Sequence, residues 1–156
     1  MDGTTGTIEL KKAKGYALRL LKFRPRSSDE LRRKMLDKGF DSGVVAGIIQ
    51  ELIGTGLLDD AAFARAWLQY RLNKPMGLRR IALELADKGI PKELVESVCR
   101  QAMENVDEVE MVRRLAAKRA RKYSDVDPLK RRKRLMDYLA RRGFSMSAIM
   151  KVIRGI

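Results

Sequence analysis

Residues 38–53 read KGFDSGVVAGIIQELI, and this stretch predicts the fold of the chain. Apolar residues follow the glycine in pairs separated by two other residues, at Val44, Val45, Ile48, Ile49, Leu52 and Ile53. Such spacing is typical of one face of an amphipathic helix. The stretch therefore predicts a turn at Gly39, followed by a helix that buries this apolar face.

The same pattern occurs three times along the chain. A cation, a glycine and an apolar residue form the triplets Lys38-Gly39-Phe40, Lys88-Gly89-Ile90 and Arg142-Gly143-Phe144. The glycines are 50 and then 54 residues apart, and each is preceded by apolar residues four and eight positions earlier. Repetition at such a period indicates tandem copies of one helical unit.

The glycine of each triplet has a clear physical role. It follows the last turn of a predicted helix, where a left-handed backbone ends the helix and a Cβ is penalised. The cation before it faces the negative end of the helix dipole. Pro91, just after the second triplet, suits the first turn of the next helix.

A further helix is predicted before each pair, starting near Tyr16, Phe63 and Glu108. The predicted modules are residues 16–58, 59–106 and 107–156, after a flexible tail at 1–15. Asp59 and Asp60 are expected to cap the first helix of the second module. We therefore expect an all-α fold of three tandem three-helix, helix-turn-helix-like repeats that pack on their neighbours into an elongated curved rod.

The charge of the chain predicts a polyanionic partner. The formal net charge is +14, which attracts nucleic acid, an anionic membrane surface or an acidic protein. Residues 107–156 carry 15 Lys/Arg against 6 Asp/Glu, so most of the excess lies in the last module.

The composition argues against several kinds of catalytic site. There is no histidine and a single cysteine, Cys99, which excludes ordinary zinc sites and Ser-His-Asp or Cys-His nucleophiles. No phosphate-binding or dinucleotide motif is present, so neither an enzyme nor a cofactor is expected. The lone cysteine and the lack of a long apolar run favour a cytoplasmic protein without a membrane segment.

The candidate binding residues are basic side chains outside the last helix of each module, because those last helices offer few outward cations. The candidates are Arg24, Arg26, Arg32, Arg33, Arg79, Arg80, Arg113, Arg114, Arg119, Arg121, Lys122, Lys130, Arg131, Arg132, Lys133, Arg134, Arg141 and Arg142. For any one of them, a solvated helix face is the simpler interpretation. For the stretch from Arg113 to Arg142 taken together, however, a polyanionic partner is favoured. The five consecutive cations Lys130 to Arg134 repel one another at about 0.2–0.5 kcal/mol per pair, and a polyanion would relieve that repulsion.

Four other side chains have two possible roles. Trp67 and Tyr70 could stack on a base, but their apolar helix face favours a place in the core. Cys99 occupies a core position of the repeat. For Tyr123, in a basic loop, core packing and base stacking both remain open.

Several segments resemble one known family, RecX. Gly56-Leu57-Leu58-Asp59-Asp60-Ala61-Ala62-Phe63-Ala64 is similar to its most recognisable stretch, and Gly77-Leu78-Arg79-Arg80-Ile81 to its middle repeat. Ser27 to Phe40 and Arg141 to Phe144 resemble its outer repeats, and the resemblance runs from about Tyr16 to the C-terminus.

The resemblance implies a regulator with no catalytic residues and no cofactor. RecX proteins have three repeats of a three-helix unit, lie in the groove of the RecA–DNA filament, block its extension and suppress ATP hydrolysis and strand exchange. The implied partners are the RecA filament and single- or double-stranded DNA bound without sequence preference, by a monomer. The alternative is a general DNA- or RNA-binding protein with helix-turn-helix-like modules.

Overall fold

The computed structural model describes residues 3–156, and this part of the chain is helical without any strand. The helices are α1 Gly3–Phe23, α2 Ser28–Lys38, α3 Ser42–Gly54, α4 Asp60–Leu72, α5 Leu78–Asp87, α6 Lys92–Met103, α7 Glu108–Ala120, α8 Pro128–Arg141 and α9 Met146–Ile153, with a 3₁₀ turn at Arg121–Tyr123.

The helices pack in threes, and each set of three has its own apolar core. Leu31, Met35 and Ile48 lie in the first core. Ile81 and Leu85 lie in the second, and the third contains the residues Val112, Leu135, Leu139 and Ile149. The packing confirms the predicted all-α fold of three tandem three-helix modules.

The repeated glycines end the second helix of each module, as predicted. Gly39, Gly89 and Gly143 have φ values of 100°, 75° and 87°. Hydrogen bonds from the amides of Gly39 and Phe40 to the carbonyls of Leu36 and Met35 close the last turn, at 2.9 and 3.3 Å. Pro91 lies one residue earlier than expected, because it precedes α6 at the capping position and is not in its first turn.

The first helix differs from the sequence prediction. It begins at Gly3 instead of near Tyr16, so residues 3–15 are helical and are not a separate tail. Contacts with the first module explain the difference, because Ala13 is fully buried and Glu9 accepts a hydrogen bond from the Asp41 amide at 3.2 Å. Met1 and Asp2, which also belong to the predicted tail, lie outside the described residues.

Neighbouring modules are joined by one recurring contact. At the first junction, the Ser27 hydroxyl at the start of α2 donates to the Lys88 carbonyl at 2.5 Å. The Ser28 amide donates to Asp60 at 2.8 Å. Asp59 is the residue that caps α4, through the Ala62 amide, so only one of the two predicted caps has that role.

The second junction repeats this arrangement with backbone groups. At the start of α5, the amides of Gly77 and Arg79 donate to the carbonyls of Arg142 and Gly143, at 2.8 and 3.2 Å. A Cβ on Gly77 would lie 2.1 Å from the Gly143 carbonyl carbon. At both junctions, therefore, the start of the second helix in one module rests on the glycine turn of the next.

The modules form an extended array. No hydrogen bond or ion pair joins the first module to the third within residues 3–156. The solvent-accessible area is 10290 Å², whereas a compact protein of 17.8 kDa exposes about 8,000 Å². The excess area supports the predicted elongated shape.

Candidate polyanion interface

Some of the predicted basic residues form ion pairs with carboxylates, and others form none within residues 3–156. At the start of α2, Arg24 and Arg26 both pair with Glu30, the latter at 2.8 Å. Arg32 and Arg33 both pair with Asp29. These four arginines are thus part of the internal ion pairs of the first module.

The acidic partners in the first module are stabilised in their charged form. Burial acts to raise the pKa of Glu30, but the hydrogen bond and charge of Arg24 and the charge of Arg26 outweigh it, so the pKa is below the ordinary value. The pKa of Asp29 is lowered in the same way, with hydrogen bonds from its two arginines overcoming the effect of burial.

Arg26, one of the predicted binding residues, is buried instead of lying on the surface. Only 8% of the residue is exposed, and its Nε donates to the Leu20 carbonyl at 3.4 Å. The pairing with Glu30 allows the guanidinium to be buried, a role that neither its spacing nor its charge could distinguish from surface binding.

Three more candidates have acidic neighbours. Arg113 and Arg114 pair with Glu110 at 2.6 and 2.9 Å, and Arg80 lies 3.7 Å from Glu84. Hydrogen bonds from the two arginines of α7 lower the pKa of Glu110. The net positive field at these positions is therefore weaker than the sequence suggests.

Eleven candidates have no carboxylate within ion-pair distance among residues 3–156. Ten of them belong to the last module. The set is Arg79, Arg119, Arg121, Lys122, Lys130, Arg131, Arg132, Lys133, Arg134, Arg141 and Arg142.

Part of this unpaired set lines a cleft between the second and third modules, which we call the junction cleft. It has a volume of about 580 Å³ and is formed by the α4–α5 loop, α7, the 3₁₀ turn and α8. Its lining residues are Asn73, Lys74, Pro75, Leu115, Lys118, Arg119, Lys122, Tyr138 and Arg142. Sequence reasoning did not choose Lys74, which stands apart from other cations, whereas Lys118 lies within the basic stretch from Arg113 to Arg142.

Tyrosine rings hold several of these guanidinium groups. The Arg119 guanidinium lies 4.6 Å from the centre of the Tyr138 ring, and the Arg142 guanidinium 5.2 Å. Tyr123 packs on the third core and accepts a hydrogen bond from Arg119 at 3.2 Å. Tyr123 therefore supports the Arg119 side chain. Sequence reasoning missed Tyr138, although its spacing of four residues from Arg142 could have indicated the contact between them.

The aromatic residues of the second module are only partly as predicted. Trp67 packs on the core and donates from Nε1 to Glu84 at 3.1 Å. Tyr70 was wrongly predicted as core, because it is 50% exposed and has Lys74 over its ring at 5.1 Å. Cys99 packs on the core, and burial raises the pKa of its thiol.

Two further basic clefts lie elsewhere on the array. One, of about 270 Å³, includes Arg79, Arg80 and Arg141 where α5 faces α8. The other, of about 540 Å³, lies on the first module and is lined by the residues Lys11, Lys12, Gly15, Tyr16, Arg19, Lys38 and Phe40. Lys11 and Lys12 of this cleft were missed because they lie in the predicted tail, to which no binding role was assigned.

The last helix of each module offers little for base recognition. The exposed residues of α3 include no cation, and exposed Glu93 and Glu96 accompany the cations of α6. A helix that reads bases needs outward Arg, Lys, Asn or Gln, so the basic surface lies on the other helices.

Family profiles match the chain in three consecutive places. RecX, first three-helix domain, matches residues 13–52, the second domain matches 59–98 and the third 106–153. The chain belongs to the RecX family. RecX relatives also match over most of their length, which extends the similarity across all the modules.

A Regulatory protein RecX from Mycobacterium sp. (strain KMS) is 36% identical over 151 residues, which is 92% of this chain and 80% of the relative. One from a Thermotoga species is 36% identical over 156 residues, or 99% of this chain and 90% of the relative. The crystal structure of RecX from Lactobacillus salivarius superposes with a TM-score of 0.85 at 25% identity, covering 96% of this chain and 97% of that one.

Two other features are missing from the part of the chain that the structure describes. Within residues 3–156, no group of three or more Asp, Glu or Cys side chains is arranged to hold a metal ion. No helix in the same range has the length and hydropathy needed to span a bilayer.

Proposed function

We propose that this RecX chain binds the RecA–DNA filament as a cytoplasmic monomer and mainly inhibits RecA. It would lower RecA ATP hydrolysis, filament extension and strand exchange in recombination and repair, without catalysis of its own. The single observation that carries this proposal is the array of three RecX modules ending in an unpaired basic surface.

The shape of the molecule supports binding along an assembly. Within residues 3–156, hydrogen bonds join each module only to its neighbour in sequence, and the chain exposes more surface than a compact protein of its mass. An elongated array can contact neighbouring protomers of a polymer at once, and so restrain the change that ATP turnover requires. Basic side chains on the last module add attraction to DNA or to acidic protein surfaces.

RecA ATPase activity on single-stranded DNA provides the test. Substoichiometric amounts of this protein should lower the rate, because each copy spans several protomers or stops extension. The inhibition should weaken as salt is raised, since exposed charges are screened. An unchanged ATPase rate at low salt would falsify the proposal.

A charge-neutralised variant tests the role of α8. We expect Lys130→Gln, Arg132→Gln and Lys133→Gln together to weaken inhibition. Arg131 is left intact because its Nε is buried and has no hydrogen-bond partner among residues 3–156.

The matched control is Lys92→Gln, Arg100→Gln and Lys151→Gln, which removes the same charge from exposed positions on α6 and α9. Equal loss of inhibition in both variants would show that overall charge, and not the α8 surface, is responsible.

A further inference from the structure

We propose that the junction cleft binds the phosphodiester backbone of a single DNA strand. This inference deepens the proposed function and rests on it for the biological source of the strand. The cleft collects five cations: Lys74, Lys118, Arg119, Lys122 and Arg142. Among the described residues 3–156, no carboxylate lines it.

The absence of a lining carboxylate distinguishes this cleft from the arginines at and around the start of α2. The acidic side chains of α2 already form ion pairs with these arginines, so an incoming phosphate would have to replace an existing ion pair. None of the five cleft cations makes an ion pair with the carboxylates of residues 3–156. Their like charges meet in a concave site, which focuses the field and favours an anion there.

Two guanidinium groups are fixed in position before a ligand arrives. Tyr138 lies next to both Arg119 and Arg142, with distances from ring centre to guanidinium carbon of 4.6 and 5.2 Å. The Arg142 Nη1 also donates to the Pro75 carbonyl at 3.1 Å and reaches the Lys74 carbonyl at 3.5 Å. Donors held in place lose less conformational freedom on binding, so they hold an anion more tightly.

Donors remain available after these internal contacts. A guanidinium has five N–H donors, and the recorded hydrogen bonds of Arg142 use Nη1 only. Lys74, Lys118 and Lys122 are exposed and add three ammonium groups. A guanidinium with free N–H groups beside flexible lysines suits the tetrahedral oxygens of a phosphodiester.

The chemistry favours the backbone over the bases. A base would need a free aromatic face on which to stack, but guanidinium groups already lie beside Tyr138. The expected binding is therefore independent of sequence and strongly dependent on salt.

The site is complete only when the two modules are docked. Lys74 comes from the α4–α5 loop, and the other four cations come from the last module. Because a ligand that binds only the docked form stabilises it, DNA should strengthen the contact between the α4–α5 loop and the Gly143 turn.

The test compares two triple variants in binding to a fluorescent single-stranded oligonucleotide, measured by anisotropy between 50 and 200 mM salt. The cleft variant removes the exposed lysines of the junction cleft and combines Lys74→Gln, Lys118→Gln and Lys122→Gln. Lys92→Gln, Arg100→Gln and Lys151→Gln removes the same charge elsewhere. Each lost phosphate contact should reduce the slope of log affinity against log salt by about 0.7, so three should reduce it by about 2.

The expected result is a reduced slope for the cleft variant alone. A slope difference of about 2 means that raising salt from 50 to 200 mM weakens the native protein about 20-fold more than the variant. An equal reduction in both variants, or no reduction in either, would overturn the assignment. An acidic protein segment as the true occupant would leave the slope unchanged while reducing the effect on RecA, which also overturns it.

Tyr138 is a positioning residue in this proposal. Tyr138→Leu should weaken oligonucleotide binding about fivefold at low salt, because the two guanidinium groups lose the ring that holds them. Tyr138→Phe keeps the ring and should restore binding. Equal weakening by both variants would contradict the role of the ring.

Failure of this proposal and failure of the proposed function are distinguishable. If the native protein leaves RecA ATPase unchanged but the cleft variant lowers the salt slope, DNA binding in the cleft is supported and the proposed role on the filament is wrong. If the native protein inhibits RecA and the cleft variant has an unaltered salt slope, the proposed role on the filament is supported and the cleft assignment is wrong.

Discussion

Replacing Gly77 by alanine should weaken the junction between the second and third modules. Gly77 has an ordinary φ of −74°, so alanine meets no backbone strain there. Its Cβ, however, would lie 2.1 Å from the Gly143 carbonyl carbon and 2.3 Å from the Phe144 nitrogen. Both obstacles are backbone atoms, so no rotation of a side chain relieves the clash.

The magnitude follows from what must change at the junction. If the modules separate, the two hydrogen bonds from the amides of Gly77 and Arg79 are lost, at about 1 kcal/mol each. If they stay together, overpacking costs about 1–3 kcal/mol. We therefore expect the free energy of unfolding to fall by about 2–3 kcal/mol.

Urea unfolding followed by circular dichroism at 222 nm measures this effect. The control is Gly47→Ala on α3, where no neighbouring atom lies within 4 Å of the added Cβ. Alanine there should stabilise the helix by about 0.5–1 kcal/mol. Gly77→Ser should be destabilising as well, although serine is a better helix cap than alanine. An unfolding free energy for Gly77→Ala that is equal to or above that of the native chain would refute the described contact.

Three other predictions concern stability and reactivity. The pKa of Glu30 is below its ordinary value of 4.5, so its contribution is present above about pH 4.5 and is lost as pH falls through the lowered pKa. Glu30→Gln should therefore flatten the acid side of a stability profile measured by urea unfolding. Asp60→Ala should cost about 1–2 kcal/mol in the same assay because it leaves the Ser28 amide without its acceptor. Burial raises the pKa of Cys99, so it should react with a disulfide reagent at pH 8 more slowly than a free thiol, and an equal rate would contradict its packing.

The repeat and its cores could be predicted because they depend on local patterns. A left-handed glycine after an amphipathic helix produces the same turn wherever it occurs, so Gly39, Gly89 and Gly143 adopt the expected conformation. The length of α1 could not be predicted in this way. Residues 3–15 contain glycine and threonine, which favour helix weakly, and they are ordered by contacts such as Glu9 with the Asp41 amide, which are distant in sequence.

The basic surface was only partly predictable for a related reason. Charge can be counted in the sequence, but whether a carboxylate neutralises an arginine depends on the fold. Arg26 and Lys130 both look like surface cations in sequence, yet Arg26 is buried on Glu30 and Lys130 is exposed and unpaired within residues 3–156. Lys74 joins the junction cleft because the α4–α5 loop faces α8, a contact between residues 68 positions apart.

The contact between modules runs in one direction, and the residue that makes it changes at the start of α8. At the start of α8, the position that carries Ser27 or Gly77 in the earlier modules is taken by Asp127, whose carboxylate accepts hydrogen bonds from Leu129 and Lys130. A carboxylate cannot donate to the carbonyl of a further glycine turn, and Pro128 has no amide hydrogen to offer. At the opposite end, Glu9 binds the amide that follows the Gly39 turn. Head-to-tail growth of copies into a fibre is the ordinary hazard of an open heterologous contact, and the bond from the Ser27 hydroxyl to the Lys88 carbonyl cannot be repeated by the side chain of Asp127.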